Sequence, residues 1–521
     1  MIQNFIVPSR IRIWIALATL VTSFLIYACG VLIVYQQQRN EFLPERSSIA
    51  AAVSNVVYGA PLGTVYSGVL ARFLDVTVPL DRTFAQARGR ELPTGSLLGS
   101  TTDGNGIGYI VVASLSMRLF GPYASSAVLA MLVLMGLSAL LFVWRYPDGR
   151  SVVVVLYFTV LTIMLFTPLV WNSPDRVPYP IGGALYIPNY PANISIGGIR
   201  YFSLVAILPA FHLLLELADT RISAPRTTAL GFVAMGAQVV ILMLAVLVRN
   251  SAAPVIAAIA TACLLFVWFH RNEPGAPYRI LRRLAYMAVA AAVFVWVLIL
   301  SVSETYVIEG RFTETLWHRI FVSFGLSPEW PFGNLREVYD CTRSIPEGLT
   351  SGTEDRNGHC ILLAYAAKHG IPPEVIPTLT YSRKYDAVLR EAFFDIARTY
   401  PRQTLKTFFY YKPLLIGWSI QQDLDLKLTG IPGRLLCLIV AALGNLLIFA
   451  LVPSPASTLR GYGVVAGSAA LLAAFTLPPY IAVWAMPYTS ADLVFYCFFG
   501  LGLAVIVAIK MIQRSLVPSP S

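Results

Sequence analysis

The sequence predicts an all-α polytopic membrane protein, and three observations predict it. The first is composition: charged residues make up 12% of the 521-residue chain, hydrophobic residues 57%, and the mean hydropathy is +0.68. A typical soluble domain carries about 25% charged residues. A soluble body of this size needs more charge to cover its surface, and intrinsic disorder needs low hydrophobicity. The second is length: about ten apolar runs approach the roughly 20 residues that cross a bilayer core. The third is charge placement, because basic residues gather at alternate connections. The net charge of +11, from 38 Lys+Arg against 27 Asp+Glu, is then explained by basic loops on the cytoplasmic side. No nucleic-acid partner is expected; the lipid bilayer is.

In chain order, the first span lies near Ile13–Tyr35 and is read as retained, since it is long for a signal peptide and lacks a small-x-small exit. The next six lie near Tyr123–Trp144, Ser151–Trp171, Tyr201–Ala218, Thr228–Val248, Ala252–Phe269 and Leu284–Ser303. The last three lie near Leu435–Val452, Tyr462–Tyr480 and Ala491–Met511. Arg10 and Arg12, Arg145 and Arg150, Arg221 and Arg226, the cluster Arg271, Arg279, Arg282 and Arg283, and then Arg460, Lys510 and Arg514 all fall on one side. Both termini are therefore expected in the cytoplasm. The short outer link Arg249–Ser251 carries one basic residue. The organisation follows: 1–35 a first transmembrane helix, 36–122 an outer loop, 123–303 transmembrane helices two to seven, 304–431 a mostly helical outer segment, and 432–521 the last three helices. No cytoplasmic connection is long enough for a nucleotide-binding domain, so chemistry is expected on the outer face.

The first outer loop carries Arg39, Arg46, Arg72, Arg82, Arg88 and Arg90 and no lysine. Arginine suits bidentate binding of phosphate; contact with lipid headgroups and local ion pairs fits the same residues. Ala50–Phe73 has apolar residues at helical spacing interrupted by Gly and Ser, and reads as an interfacial helix lying along the membrane. Ile107–Phe120 reads as a second juxtamembrane helix. Between them runs Thr101-Thr102-Asp103-Gly104-Asn105-Gly106-Ile107-Gly108-Tyr109. A nucleotide loop would need a preceding strand and a following lysine, and neither is present. The glycines allow close backbone approach. Asp103 opens the juxtamembrane helix, where a carboxylate is stabilised as a cap. An acid at the water–lipid boundary can also take a proton from an attacking hydroxyl. The two roles are compatible.

The second outer segment begins with Trp317-His318-Arg319 and Phe324-Gly325-Leu326. Trp317 and His318 follow span seven closely enough to reach the membrane surface. In Tyr381–Tyr400, Tyr385, Val388, Leu389, Ala392, Phe393 and Ile396 form one helical stripe, leaving Arg383, Lys384 and Arg390 to a solvated face. Pro401–Tyr411, with Lys406 and Lys412 around a Phe/Tyr cluster, reads as an interfacial entry to the membrane. Cys341 and Cys360 are the cysteines outside the spans and are expected to pair as a disulfide in an oxidising compartment. No Cys-x-x-Cys or His-x₃-His spacing accompanies them, so no metal site is expected. The turn Pro478 to Thr489 reads as a broken helix end, with Tyr480, Trp484 and Tyr488 able to stack on sugar or prenyl groups or to sit in the interface belt.

The loop after the first span, its two juxtamembrane helices, Asp103 before the second of them, and Leu119-Phe120-Gly121 before the next span together resemble the GT-C superfamily. These are membrane glycosyltransferases that use polyprenyl-phosphate-linked sugars, among them the protein O-mannosyltransferases and the lipid A aminoarabinose transferase. The resemblance covers residues 50–146 in sequence and the rest in topology. It implies sugar transfer to a glycan, lipid or protein hydroxyl on the periplasmic face of a bacterial inner membrane. Asp103 is the implied catalytic acid, with Asp75 and Asp81 in reserve. Arg82, Arg88, Arg90, His318 and Lys412 are the implied ligands of the donor phosphate, and Trp317, Tyr109 and Tyr488 the implied substrate contacts. Many members carry paired acids where this chain has Asp103-Gly104, which leaves metal use open; no cofactor is expected. Two alternatives share the compartment: an O-antigen ligase or polymerase, and a polytopic transporter or flippase, for which the spans offer little beyond His212, Glu216, Gln238 and Asn445.

Overall fold

A computed structural model describes residues 18, 46–75, 77–99, 107–123, 126–146, 150–158, 199–219, 229–249, 252–304, 306, 316–327, 329–330, 332–333, 383–414, 456–482 and 491–515. Among them the chain is almost wholly helical. Helices α1 (Arg46–Tyr58), α2 (Ser67–Leu74), α3 (Leu80–Arg88) and α4 (Ile107–Phe120) build the first outer loop, with short strands β1 (Thr64–Tyr66) and β2 (Leu97–Gly99) between them. Then follow α5 (Ser126–Arg145), a helical stretch over 150–158, a 3₁₀ turn Ile199–Ala206 running into α6 (Ile207–Ala218), α7 (Ala229–Val248), α8 (Pro254–Phe269) and α9 (Ala276–Ser301). The second outer segment contributes α10 (Leu316–Val322), α11 (Arg383–Thr399), α12 (Pro401–Lys406) and a π-helical turn Thr407–Tyr411; α13 (Ala456–Ala482) and α14 (Ala491–Ser515) close the chain.

Four described helices are long and apolar enough to cross a membrane: Ala229–Val248, Ala276–Ser301, Gly461–Ala482 and Asp492–Gln513. From Val289 to Leu300 the outward face of α9 is apolar, with Val289, Val293, Trp296 and Leu300 all exposed, as a lipid-facing surface requires. Helix α4 has 14 residues and spans about 21 Å, short of the hydrocarbon thickness. Its bounds coincide with the stretch read from the sequence. The spans expected near 13–35 and 435–452, and the second half of that near 151–171, lie outside the described residues.

The stretch 50–73 differs from its reading as one interfacial helix. Pro61 and the positive φ of Gly59 and Gly63 break it into α1 and α2, with β1 between. Helix α1 is not on the surface either: Arg46 through Ser54 are all buried. The small residues Ala50, Ala51 and Ala52 let α4 and α2 press against it from different sides. Strand β1 pairs antiparallel with β2, Thr64 opposite Gly99 and Tyr66 opposite Leu97, so the chain entering the Asp103 loop is tied to the chain leaving α1. Alternation is too short here to show in the sequence.

The two outer segments touch. Leu62 forms a parallel bridge with Val302, and the Ser303 N–H donates to the Leu62 carbonyl at 2.8 Å. A Cβ on Gly63 would lie 3.1 Å from the Tyr306 ring, so a side chain there would crowd this junction. Both segments therefore lie on one face of the helix bundle. The second segment has an aromatic core of its own, Phe321, Phe324, Phe332, Leu389, Ile396 and Phe408. Trp330 stacks on Phe324 with ring centroids 5.2 Å apart. Val388, Leu389 and Ile396 are buried as the α11 stripe predicts, and Arg390 is exposed.

At the opposite end, a polar network ties four helices. The Arg145 guanidinium grips both oxygens of Glu216, with Nη2 donating to Oε2 at 3.2 Å. Arg283 donates to the Glu216 and Asp219 carbonyls. Gln238 links His212, at 3.1 Å, to Ser138, whose hydroxyl donates to Gln238 at 2.7 Å.

Candidate functional site

The start of α4, the end of α7 and the corner between α13 and α14 lie at one end of the helix bundle. The first turn of α4 packs backbone to backbone on the last turn of α7: a Cβ at Gly108 would sit 2.4 Å from the Leu247 carbonyl carbon. Only glycine permits that approach, so Gly108 serves helix–helix contact. Arg249 follows directly on α7. It lies near enough to Asp492, at the start of α14, to act on it electrostatically. Asp492 is 1% exposed, and its Oδ1 accepts the Tyr480 hydroxyl at 2.5 Å. Tyr480 lies in the last turn of α13. The helix continues through Pro478 and Pro479 to Ala482, where the sequence suggested a break. Neither proline has an N–H to give to the carbonyls of Ala474 and Phe475, so the helix runs on at the loss of two backbone bonds near its end.

The second outer segment docks on the same end. The Ser323 hydroxyl donates to the Arg319 carbonyl at 2.9 Å and lies 3.3 Å from the Ala482 carbonyl. Lys412 is fully buried, donates to Ser323 Oγ at 2.9 Å and lies over the Phe408 ring at 4.9 Å. Burial pushes its ammonium well below the usual lysine range. The π-helical turn Thr407–Tyr411 precedes it and turns Phe408 and Tyr411 inward. Glu329 pairs with Lys406 and accepts the Tyr411 hydroxyl at 3.1 Å, which holds its carboxyl below the usual range, Lys406 first. Trp317 and His318 belong to this cluster. Their backbone N–H groups donate to Asp386 Oδ1 at 2.7 and 3.1 Å, so a carboxylate from α11 caps α10. The Trp317 ring packs on Phe393 and Phe394, and His318 is buried.

The other expected residues lie on the first loop. Asp75 is at the end of α2, where the Thr77 hydroxyl and N–H donate to it at 2.5 and 3.0 Å and Arg72 lies 3.6 Å away. Thr77, and then Arg72, hold its carboxyl below the usual range. Asp81 and Arg82 are exposed on the first turn of α3. Arg88 lies 4.4 Å over the Tyr123 ring and donates to the Pro122 carbonyl at 3.2 Å, clasping α3 to the corner between α4 and α5. Arg90 is exposed with φ +58°. Tyr109 is buried on the first turn of α4. Asp103, Tyr488, Cys341 and Cys360 lie outside the described residues. Among the described residues, no cluster of His, Cys, Asp or Glu suits a metal ion.

Sequence reading missed Asp492 and Asp386 and gave Arg249 no role. Signals existed for two of them: Arg249 is the one basic residue in a short outer link, and Asp492 is an acid opening a span. Asp386 reads as any charge on an amphipathic helix.

No family model matches the chain, and no curated protein does. Two solved structures are similar to it, both of ArnT from Cupriavidus metallidurans. The one bound to undecaprenyl phosphate is 11% identical with a TM-score of 0.32, over 95% of this chain and 78% of that one. The apo structure is 11% identical with a TM-score of 0.29, over 95% and 77%.

Proposed function

We propose that the protein is a GT-C-type membrane glycosyltransferase. It moves a sugar from a polyprenyl-phosphate carrier to a hydroxyl of a cell-envelope glycan, lipid or protein. The reading includes about ten spans, cytoplasmic termini and a periplasmic site. One observation carries it: α4 packs through Gly108 against the end of α7, beside Arg249. In the sequence Asp103 comes five residues before Gly108.

In this reading Asp103 takes the proton of the acceptor hydroxyl as its oxygen attacks the anomeric carbon. The bond from that carbon to the phosphate oxygen breaks, and the electron pair leaves with the lipid phosphate. A cation fixed beside the departing oxygen lowers the barrier by stabilising charge that develops only in the transition state. Arg249 is the cation this reading assigns to that role. Lys412 and His318 of the second segment, and Arg82, Arg88 and Arg90 of the first, are the further phosphate ligands in this proposal. Direct displacement inverts the anomeric centre.

Asp103→Asn keeps the side-chain shape and removes the base. It is expected to abolish sugar transfer, measured with membranes and radiolabelled lipid-linked donor, at unchanged protein level. Full activity in Asp103→Asn with loss in Asp75→Asn or Asp81→Asn would move the base to one of those residues.

A second reading, transport, is favoured by one observation. His212, Glu216 and Gln238 converge on a single buried network rather than lying scattered. Substrate uptake into proteoliposomes discriminates, and an Asp103→Asn protein that still transports would favour it.

A further inference from the structure

The Asp492 carboxyl meets the Tyr480 hydroxyl at Oδ1 and the backbone N–H groups that open α14. Among the described residues, Oδ2 is buried with no side-chain hydrogen-bond partner. One turn on along α14, the Tyr496 hydroxyl is likewise buried with no partner. Residues four apart stand on the same helix face. A buried carboxylate oxygen and a buried phenol left open side by side are costly, and folded proteins keep few such groups. The pair sits at the outer-segment end of the bundle. Tyr480 and Ala482 share the last turn of α13, and the Ala482 carbonyl meets Ser323 of the second outer segment. Arg249 is within electrostatic reach of the same carboxylate.

A carboxylate accepts hydrogen bonds, and a phenol can donate or accept one. Beside an arginine, that combination matches a molecule carrying hydroxyl groups next to an anion. We propose that Asp492 and Tyr496 read hydroxyl groups of the donor sugar while the arginine side of the site faces its phosphate. The inference rests on the glycosyltransferase reading and assigns these two residues as specificity determinants for the sugar rather than for the lipid. The Tyr480 hydrogen bond orients the carboxylate, which fixes the direction of Oδ2.

The test compares purified wild type with Asp492→Asn and Tyr496→Phe, both close in shape to the parent. Each is titrated with bare undecaprenyl phosphate and with undecaprenyl phosphate bearing glucose, galactose, mannose or N-acetylglucosamine. Wild type is expected to bind at least one sugar-bearing lipid more tightly than the bare lipid. Asp492→Asn is expected to lose about tenfold in that preference, and Tyr496→Phe a smaller part, with binding of the bare lipid unchanged in both. Equal weakening towards bare and sugar-bearing lipids, or an intact sugar preference in both variants, overturns the proposal. So does a wild type that shows no preference among the lipids. A wild type that binds none of these lipids and transfers no sugar refutes the glycosyltransferase reading instead, so the two failures are told apart.

Discussion

Lys412 shows what burial does to one side chain. It is 0% exposed, and its ammonium is held by Ser323 and the Phe408 face. An unfolded lysine titrates near 10.4, whereas this one is shifted well down, so the unfolded chain binds its proton over a pH range where the folded chain does not. Stability from this site therefore rises with pH up to about 10. Lys412→Met removes the penalty and is expected to stabilise the protein at pH 7 by about 1–3 kcal/mol, with the gain shrinking towards pH 10. Thermal unfolding in detergent at the two pH values measures it; an equal gain at both would show that burial of charge is not the cause. Asp75 has the opposite sign. Its carboxyl is lowered by Thr77 and Arg72, so its small contribution is present above the ordinary carboxylate range and is lost as pH falls below it.

Between elements, the contacts that matter are made by groups which no helix pattern predicts. Helices α5, α6, α7 and α9 are joined by Arg145, Glu216, Gln238 and Arg283. Glu216 and Gln238 lie within apolar runs, where an unpaired polar group is expensive in the bilayer, and Arg145 and Arg283 lie near helix ends. Paired, they fix which helix faces which. Glu216→Ala leaves two buried guanidinium groups without their carboxylate and is expected to cost about 3–5 kcal/mol, read from chemical or thermal unfolding in detergent. A loss below about 1 kcal/mol would mean that the four helices are held by apolar packing alone. At the other end, Asp386 caps α10 from α11, so the aromatic core of the second segment is ordered by one carboxylate as well as by its rings.

At the scale of the molecule, the bridge between Leu62 and Val302 makes the two outer segments one surface. In the proposed topology that surface faces the periplasm. In a cysteine-free background, Thr77→Cys and Glu391→Cys, both exposed positions on this face, are expected to react with a membrane-impermeant maleimide added outside intact cells. Glu273→Cys, exposed on the turn between α8 and α9, is expected to react only after permeabilisation. Labelling in the reverse sense would place Asp103 in the cytoplasm, away from any periplasmic acceptor.

Hydropathy and charge were sufficient for the helical membrane class, for α4 with both its ends and for the stripe on α11. These are local properties: a period of 3.6, a run length against hydrocarbon thickness, and Lys/Arg bias at loops. Proline and positive φ at glycine split 50–73 into two helices, and burial of α1 follows from its neighbours rather than from its own polarity. Only tertiary structure brought Gly108 against Leu247, Arg249 near Asp492, Tyr480 onto Asp492, and Lys412 onto Ser323. All of these pairs except Tyr480 and Asp492 are far apart along the chain, and sequence periodicity orders a helix face without naming the helix it meets.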